Sequence, residues 1–130
     1  MKMYKSEYET GDIVYVSEYT YSDGKQGTGH LFVIIDVNRL ELVPVEYFGM
    51  IVSSHREKSK TSSNFEYNEP LNKSDDNGLT VDSIVKCDEM YTIPPKNIVF
   101  KIGVVDVDDY LRFIEAYNKV LKGLEEALNS

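Results

Sequence analysis

Gly11-Asp12-Ile13-Val14-Tyr15-Val16-Ser17-Glu18-Tyr19-Thr20-Tyr21, then Asp23-Gly24, then Leu31-Phe32-Val33-Ile34-Ile35: this succession is that of a β-hairpin. Successive strand residues point to opposite faces. Val14, Val16, Glu18 and Thr20 therefore fall on one face, and Ile13, Tyr15, Ser17, Tyr19 and Tyr21 on the other. Asp23-Gly24 supplies the turn, and Gly27 and Gly29 extend it into a flexible loop. The run Leu31 to Ile35 does not alternate, as expected of a strand buried on both sides.

Beyond this hairpin, Asp36 to Arg39 turn into a strand-like stretch from Leu40 to Val52. Pro44 there predicts an edge or bulge, and Gly49 a bend. From about residue 54 to 78 the composition changes to Ser, Lys, Asn, Asp and Glu, with only Phe65 and Tyr67 alternating as a short strand would. A polar loop this long is usually functional or mobile, and Ser59 to Asn77 is the expected flap. Leu79 to Ile93 reads as a strand pair or one long bent strand closed by Pro94-Pro95, and Ile98 to Val105 as the last strand. Val107, Leu111, Ile114, Tyr117, Leu121, Leu124 and Leu128 recur every three or four residues, the stripe of an amphipathic helix over about 107–128. Asp106 is its expected N-cap. Spacing alone leaves open whether the stripe packs on the chain's own strands or on a partner. The result is a mainly β domain of five or six strands with a C-terminal α-helix.

The chain's 130 residues are 42% hydrophobic, enough for one core and one domain. Ten Tyr and five Phe, without Trp, concentrate in the strand-like parts, where a ring can point inward with its hydroxyl at the rim. Lys+Arg number 14 against Asp+Glu 22, and a net charge of -8 disfavours nonspecific binding to nucleic acid or anionic membrane. The lone Cys87 cannot form an internal disulfide, and no apolar run approaches the roughly 20 residues of a membrane span. A soluble cytoplasmic protein is the expectation, with no membrane role.

Two tempting motifs fail. Gly24-Lys25-Gln26-Gly27-Thr28-Gly29 lacks the Ser or Thr after Lys and the following helix that a phosphate loop needs. His30 and His55 are not at ligand spacing and Cys87 has no Cys partner, so no metal or cofactor is expected. The histidines carry more chemistry. His30 stands at the start of the central strand, and His55 follows Ser53-Ser54 at the end of another, beside Arg56. Convergence of those strand ends would assemble imidazoles, hydroxyls and a guanidinium able to cleave RNA without metal. One base takes the 2′-hydroxyl proton, one acid protonates the leaving 5′-oxygen, and Arg56 or Lys25 stabilises the phosphorane. The plainer alternative makes His55 and Arg56 solvated loop residues and His30 a strand-entry residue.

The order of segments resembles the PemK/MazF family of toxin-antitoxin ribonucleases. The resemblance runs from Gly11-Asp12-Ile13-Val14 through the glycine-rich hairpin and Leu31 to Ile35 to Ser53-Ser54. Its more specific part is Gly78-Leu79-Thr80-Val81-Asp82-Ser83-Ile84-Val85-Lys86-Cys87-Asp88, with Thr92-Ile93 and Ile102-Gly103-Val104, similar to that family's "Asp-Ser-x-Val", "Asp-x-x-x-x-Ile" and "Ile-Gly-x-Leu". It implies one domain over 1–130: a small SH3-like β-barrel over about 11–105 and a terminal helix. It also implies a homodimer, cleavage of single-stranded RNA to 2′,3′-cyclic phosphate and 5′-hydroxyl ends, and a cognate antitoxin that blocks the RNA groove with an extended acidic segment.

In the family's Gly-x-x-Arg-Pro motif the chain has Gly29 in the Arg slot and His30 in the Pro slot, while Ser53 or Ser54 matches the second family residue. The expected catalytic set is His30, Ser53, Ser54 and Arg56, with Lys25, Gly27, Gly29, His55 and Lys58 binding substrate. The alternative is a catalytically degenerate barrel that binds a protein partner.

Overall fold

A computed structural model describes residues 8–21, 23–40, 43–54 and 67–129. Seven strands, more than the sequence pattern predicts, form one antiparallel sheet: β1 (Asp12–Thr20), β2 (Gln26–Leu40), β3 (Val43–Ser54), β4 (Asn68–Leu71), β5 (Ser83–Lys86), β6 (Tyr91–Ile93) and β7 (Ile98–Val104). Their order is β4-β5-β3-β2-β1-β7, with β6 paired to β3. The end strands β4 and β7 are not paired with each other, so among the described residues the sheet is open. Helix α1 (Val107–Asn129) ends the chain.

The sheet is buried on both sides, which is why Phe32 to Ile35 are apolar without alternation. Ile13, Val33, Met50, Val52, Leu71 and Val85 lie on one side with Phe113 and Ala116 of α1. Val14, Val16, Phe32, Ile34 and Ile51 lie on the other, with Tyr91, Ile93 and Ile98 packed onto them. Register shifts of β2 against β3 fall where Gly49 and Pro44 predict them, between Ile34 and Asp36 and between Asn38 and Arg39.

β2 begins at Gln26, so Gly27 and Gly29 are strand residues and not part of a loop. The reason is aromatic packing. A Cβ on Gly27 would lie 2.3 Å from the Tyr19 ring, and one on Gly29 would lie 2.4 Å from the Tyr15 hydroxyl. Both glycines are places where a ring crosses the neighbouring strand. Tyr19 thereby joins the cluster of Val14 and Val16, which simple alternation assigns to the opposite face.

The later part of the expected flap is tied down. Asn77 is buried; its Oδ1 accepts from the Ser74 and Leu79 amides and its Nδ2 donates to the Asn72 carbonyl. The Val104 amide donates to the Asp76 carbonyl, joining this turn to β7. Residues 55–66 lie outside the described residues.

Asp106 caps α1 as expected, its Oδ1 accepting from the Asp109 amide at 2.8 Å. Tyr110 donates to the Ile35 carbonyl at 2.7 Å, and Arg112 binds Glu69, Asp109 and the Pro70 carbonyl, fastening the helix to β2 and β4. The apolar stripe stays largely in solvent: Leu111 is 55% exposed and Leu124 58%. Phe113 and Ala116 are the buried residues of α1, and Ile114 and Tyr117 of the stripe pack partly against the same cluster. Among the described residues, no helix is long and apolar enough to cross a membrane.

Candidate active site

The central strand brings His30 opposite Val16 of β1, and its ring meets Tyr19 edge-on at 6.1 Å and Phe32 at 6.2 Å. Nδ1 lies 3.2 Å from the Leu31 carbonyl. A carbonyl only accepts, so in this bond Nδ1 carries the proton and Nε2 keeps its lone pair. Burial holds the imidazole below its ordinary pKa, and the positive charge of Lys86 adds to that effect, against the bond to Leu31. At neutral pH the ring is therefore a neutral base.

Strand β3 separates β2 from β5 and aligns both. Leu31 pairs with Val52, so one further step along β3 sets Ser53 across from His30. Ser53 is half-buried and pairs with Ile84; Ser54 is exposed and pairs with Ser83. On β5, two residues after Ile84, Lys86 shares that face and pairs in turn with Asn68 of β4. Four adjacent strands thus carry an imidazole, a hydroxyl, an ammonium and an amide, with Lys86 and Asn68 two residues along their strands from the Ser53–Ile84 pair.

His30, Lys86 and Asn68 border a recess of about 180 Å³ that Ile51, Tyr21, Asp88, Glu89 and Tyr91 also line, whereas Ser53 does not border it. Tyr91 donates to Glu89 Oε2 at 3.0 Å, and burial together with that carboxylate raises its phenol pKa. The hydroxyls of Tyr19 and Tyr21 lie 3.0 Å apart. Burial also raises the Asp88 carboxyl pKa. Asn68 is the exception in this shell: its Oδ1 and Nδ2 are both shielded from solvent and have no hydrogen-bond partner among the described residues. A buried polar group left unpaired costs about 1–3 kcal/mol, so the fold keeps this amide against its own stability.

The remaining sequence candidates are distributed as follows. Lys25 is exposed on the hairpin turn, its amide donating to Asp23 Oδ1, and does not border the recess. Gly27 and Gly29 provide room for Tyr19 and Tyr15 beside His30. His55, Arg56 and Lys58 lie outside the described residues. Cys87 is fully buried, its thiol pKa pushed up to about 12 by burial and its Sγ donating to the Val85 carbonyl, which makes it a packing residue. No three His, Cys, Asp or Glu side chains among the described residues converge as a metal site. Lys86, Asn68 and Tyr91 are the residues that sequence reasoning did not single out. Lys86 had one available signal, its alternation with Ile84 along β5.

As a set, the recess offers a neutral base, a cation to offset developing negative charge and aromatic rings able to hold a base. A family model described as PemK-like, MazF-like toxin of type II toxin-antitoxin system matches residues 9–121. The fold is similar to that of the Mycobacterium tuberculosis toxin MazF-mt6, with a TM-score of 0.58 at 16% identity, over 83% of this chain and 96% of that one. No curated protein matches the sequence.

Proposed function

The chain belongs to the PemK-like, MazF-like toxin family of type II toxin-antitoxin systems, and on that premise we propose that it is a metal-independent endoribonuclease acting on single-stranded RNA in the cytoplasm. The observation that carries the proposal is that His30 and Lys86, from different strands, border one recess. His30 Nε2 takes the proton of a 2′-hydroxyl, and the 2′-oxygen attacks the adjacent phosphorus. The bond from phosphorus to the 5′-oxygen breaks, and that oxygen takes a proton from solvent. The products are a 2′,3′-cyclic phosphate and a 5′-hydroxyl. Lys86 offsets the charge that builds on the non-bridging oxygens, the task for which the family's Arg is absent at Gly29. Ser53, across from His30, hydrogen-bonds the same phosphate.

The proposal includes the family's SH3-like barrel, supported by the meeting of Tyr91 on β6 with Tyr19 on β1, 5.8 Å between ring centres, which rolls the sheet toward closure. It also includes a homodimer and a cognate antitoxin that competes with RNA.

Incubation of the protein with a long unstructured RNA in EDTA tests the reading. Discrete cuts with cyclic phosphate ends are expected, and their loss in a folded His30→Ala variant. RNA left intact by the unaltered protein would count against it. Gly29 and the net charge of -8 favour the second reading, a degenerate domain that binds a protein partner. Retention of a partner without any RNA cleavage would support that reading.

A further inference from the structure

We propose that the recess beside His30 is a nucleobase subsite, in which the Asn68 amide reads the hydrogen-bonding edge of an RNA base held against Tyr21 and Tyr91. The assignment rests on the ribonuclease reading and deepens it, since it states how substrate would be chosen. Four observations carry it. Asn68 borders the recess, and both its polar atoms are shielded from solvent without a partner among the described residues. Turning that amide about its side-chain torsions toward a ligand therefore breaks no hydrogen bond. The group has an acceptor and a donor side by side, the arrangement that pairs bidentately with a base edge. The Tyr21 ring is 38% exposed and stands 6.1 Å from Tyr91, presenting an aromatic surface of the kind on which unpaired bases stack.

The surrounding charge favours a base over a second phosphate. Asp88 and Glu89 stand on the rim, where they repel phosphate and accept from amino groups. Lys86 and His30 border the same recess and would take the phosphate of the same nucleotide.

The test uses the full chain and an Asn68→Leu variant, whose backbone pairing with Lys86 is unchanged. Binding of the four nucleoside 3′-monophosphates is compared with that of ribose 5-phosphate, which has no base. Cut positions on a random RNA pool are mapped for both proteins. The unaltered protein should prefer one or two nucleotides, and Asn68→Leu should lower that preference about tenfold or more, while unfolding at equal or higher denaturant. RNA cut by both proteins at the same positions would overturn the subsite and leave the ribonuclease reading intact. Base-selective binding that Asn68→Leu abolishes, without any cleavage by the unaltered protein, would support the subsite and remove the ribonuclease reading. Nucleotides bound no better than ribose 5-phosphate would overturn the subsite whether or not RNA is cut.

Discussion

The Tyr19 ring lies where a side chain on Gly27 would be, 2.3 Å from the position of its Cβ. Tyr19 is 4% exposed and wedged among Phe32, Tyr91 and His30, so it has nowhere to retreat. Gly27→Ala should cost about 1–3 kcal/mol in urea unfolding, the range for overpacking a core. The cost should shrink in a Tyr19→Ala background, which a double-mutant cycle would measure.

His30 titrates below the ordinary imidazole value, with burial as the main cause. An unfolded chain takes up a proton as pH falls through about 6.5, while the folded chain resists it. Stability should therefore fall as pH drops from about 6.5 toward the lowered folded value and level off below it. Denaturation midpoints across this range should show that slope, and His30→Gln should lack it. The acid limb of the cleavage rate should break below the usual imidazole value for the same reason.

Lys86 and Lys25 separate two sources of positive charge. Lys86 borders the recess with His30, whereas Lys25 stands on the hairpin turn. Lys86→Ala should lower the cleavage rate about a hundredfold, the usual loss for one charge-stabilising donor, and Lys25→Ala only a few-fold. Equal losses in single-turnover cleavage would point to general attraction of RNA and not to a group at the phosphate.

Asn77 holds the turn before β5 through three side-chain hydrogen bonds, to the Ser74 and Leu79 amides and the Asn72 carbonyl. Asn77→Ala leaves these groups unpaired near the core and should cost about 2–4 kcal/mol. Hydrogen exchange should then quicken at Leu79 and at Val104, whose amide binds the neighbouring Asp76 carbonyl.

On α1, Phe113 is fully buried while Leu124 is 58% exposed. Phe113→Ala should cost about 3–5 kcal/mol, and Leu124→Ser less than about 0.5 kcal/mol in the isolated chain. Chemical denaturation of the two variants distinguishes the packed face from the open one.

Much of the architecture could be read locally. The strand from Ile13, the turn at Asp23-Gly24, the irregularity near Gly49 and the cap at Asp106 each depend on neighbours a few residues away, and each is found where the pattern puts it, whereas alternation fails at Tyr19. Short-range rules failed where a contact came from elsewhere. Gly27 and Gly29 read as loop because their neighbours are small and polar, yet rings from β1 make them strand residues. The leucine stripe of α1 marks an amphipathic helix correctly but cannot say which face meets the sheet; Phe113 and Ala116 do.

The candidate site divides along the same line. His30 and Ser53 were visible in the sequence, because an imidazole and a hydroxyl at strand ends are recognisable chemistry. Lys86 and Asn68 were not, since alternation with Ile84 gives Lys86 a face but no partner, and an asparagine in a polar stretch carries no signal of its own. Their place beside His30 comes from the pairing of β2 with β3, β3 with β5, and β5 with β4. The sequence by itself determined the longer strands, the helix and the two residues of recognisable chemistry, because propensity, capping and alternation act over a few bonds, but it left β4 (Asn68–Leu71) inside a polar loop. Only the tertiary structure decided which cation and which amide stand beside the imidazole, because cross-strand register is set by packing between residues far apart in the chain.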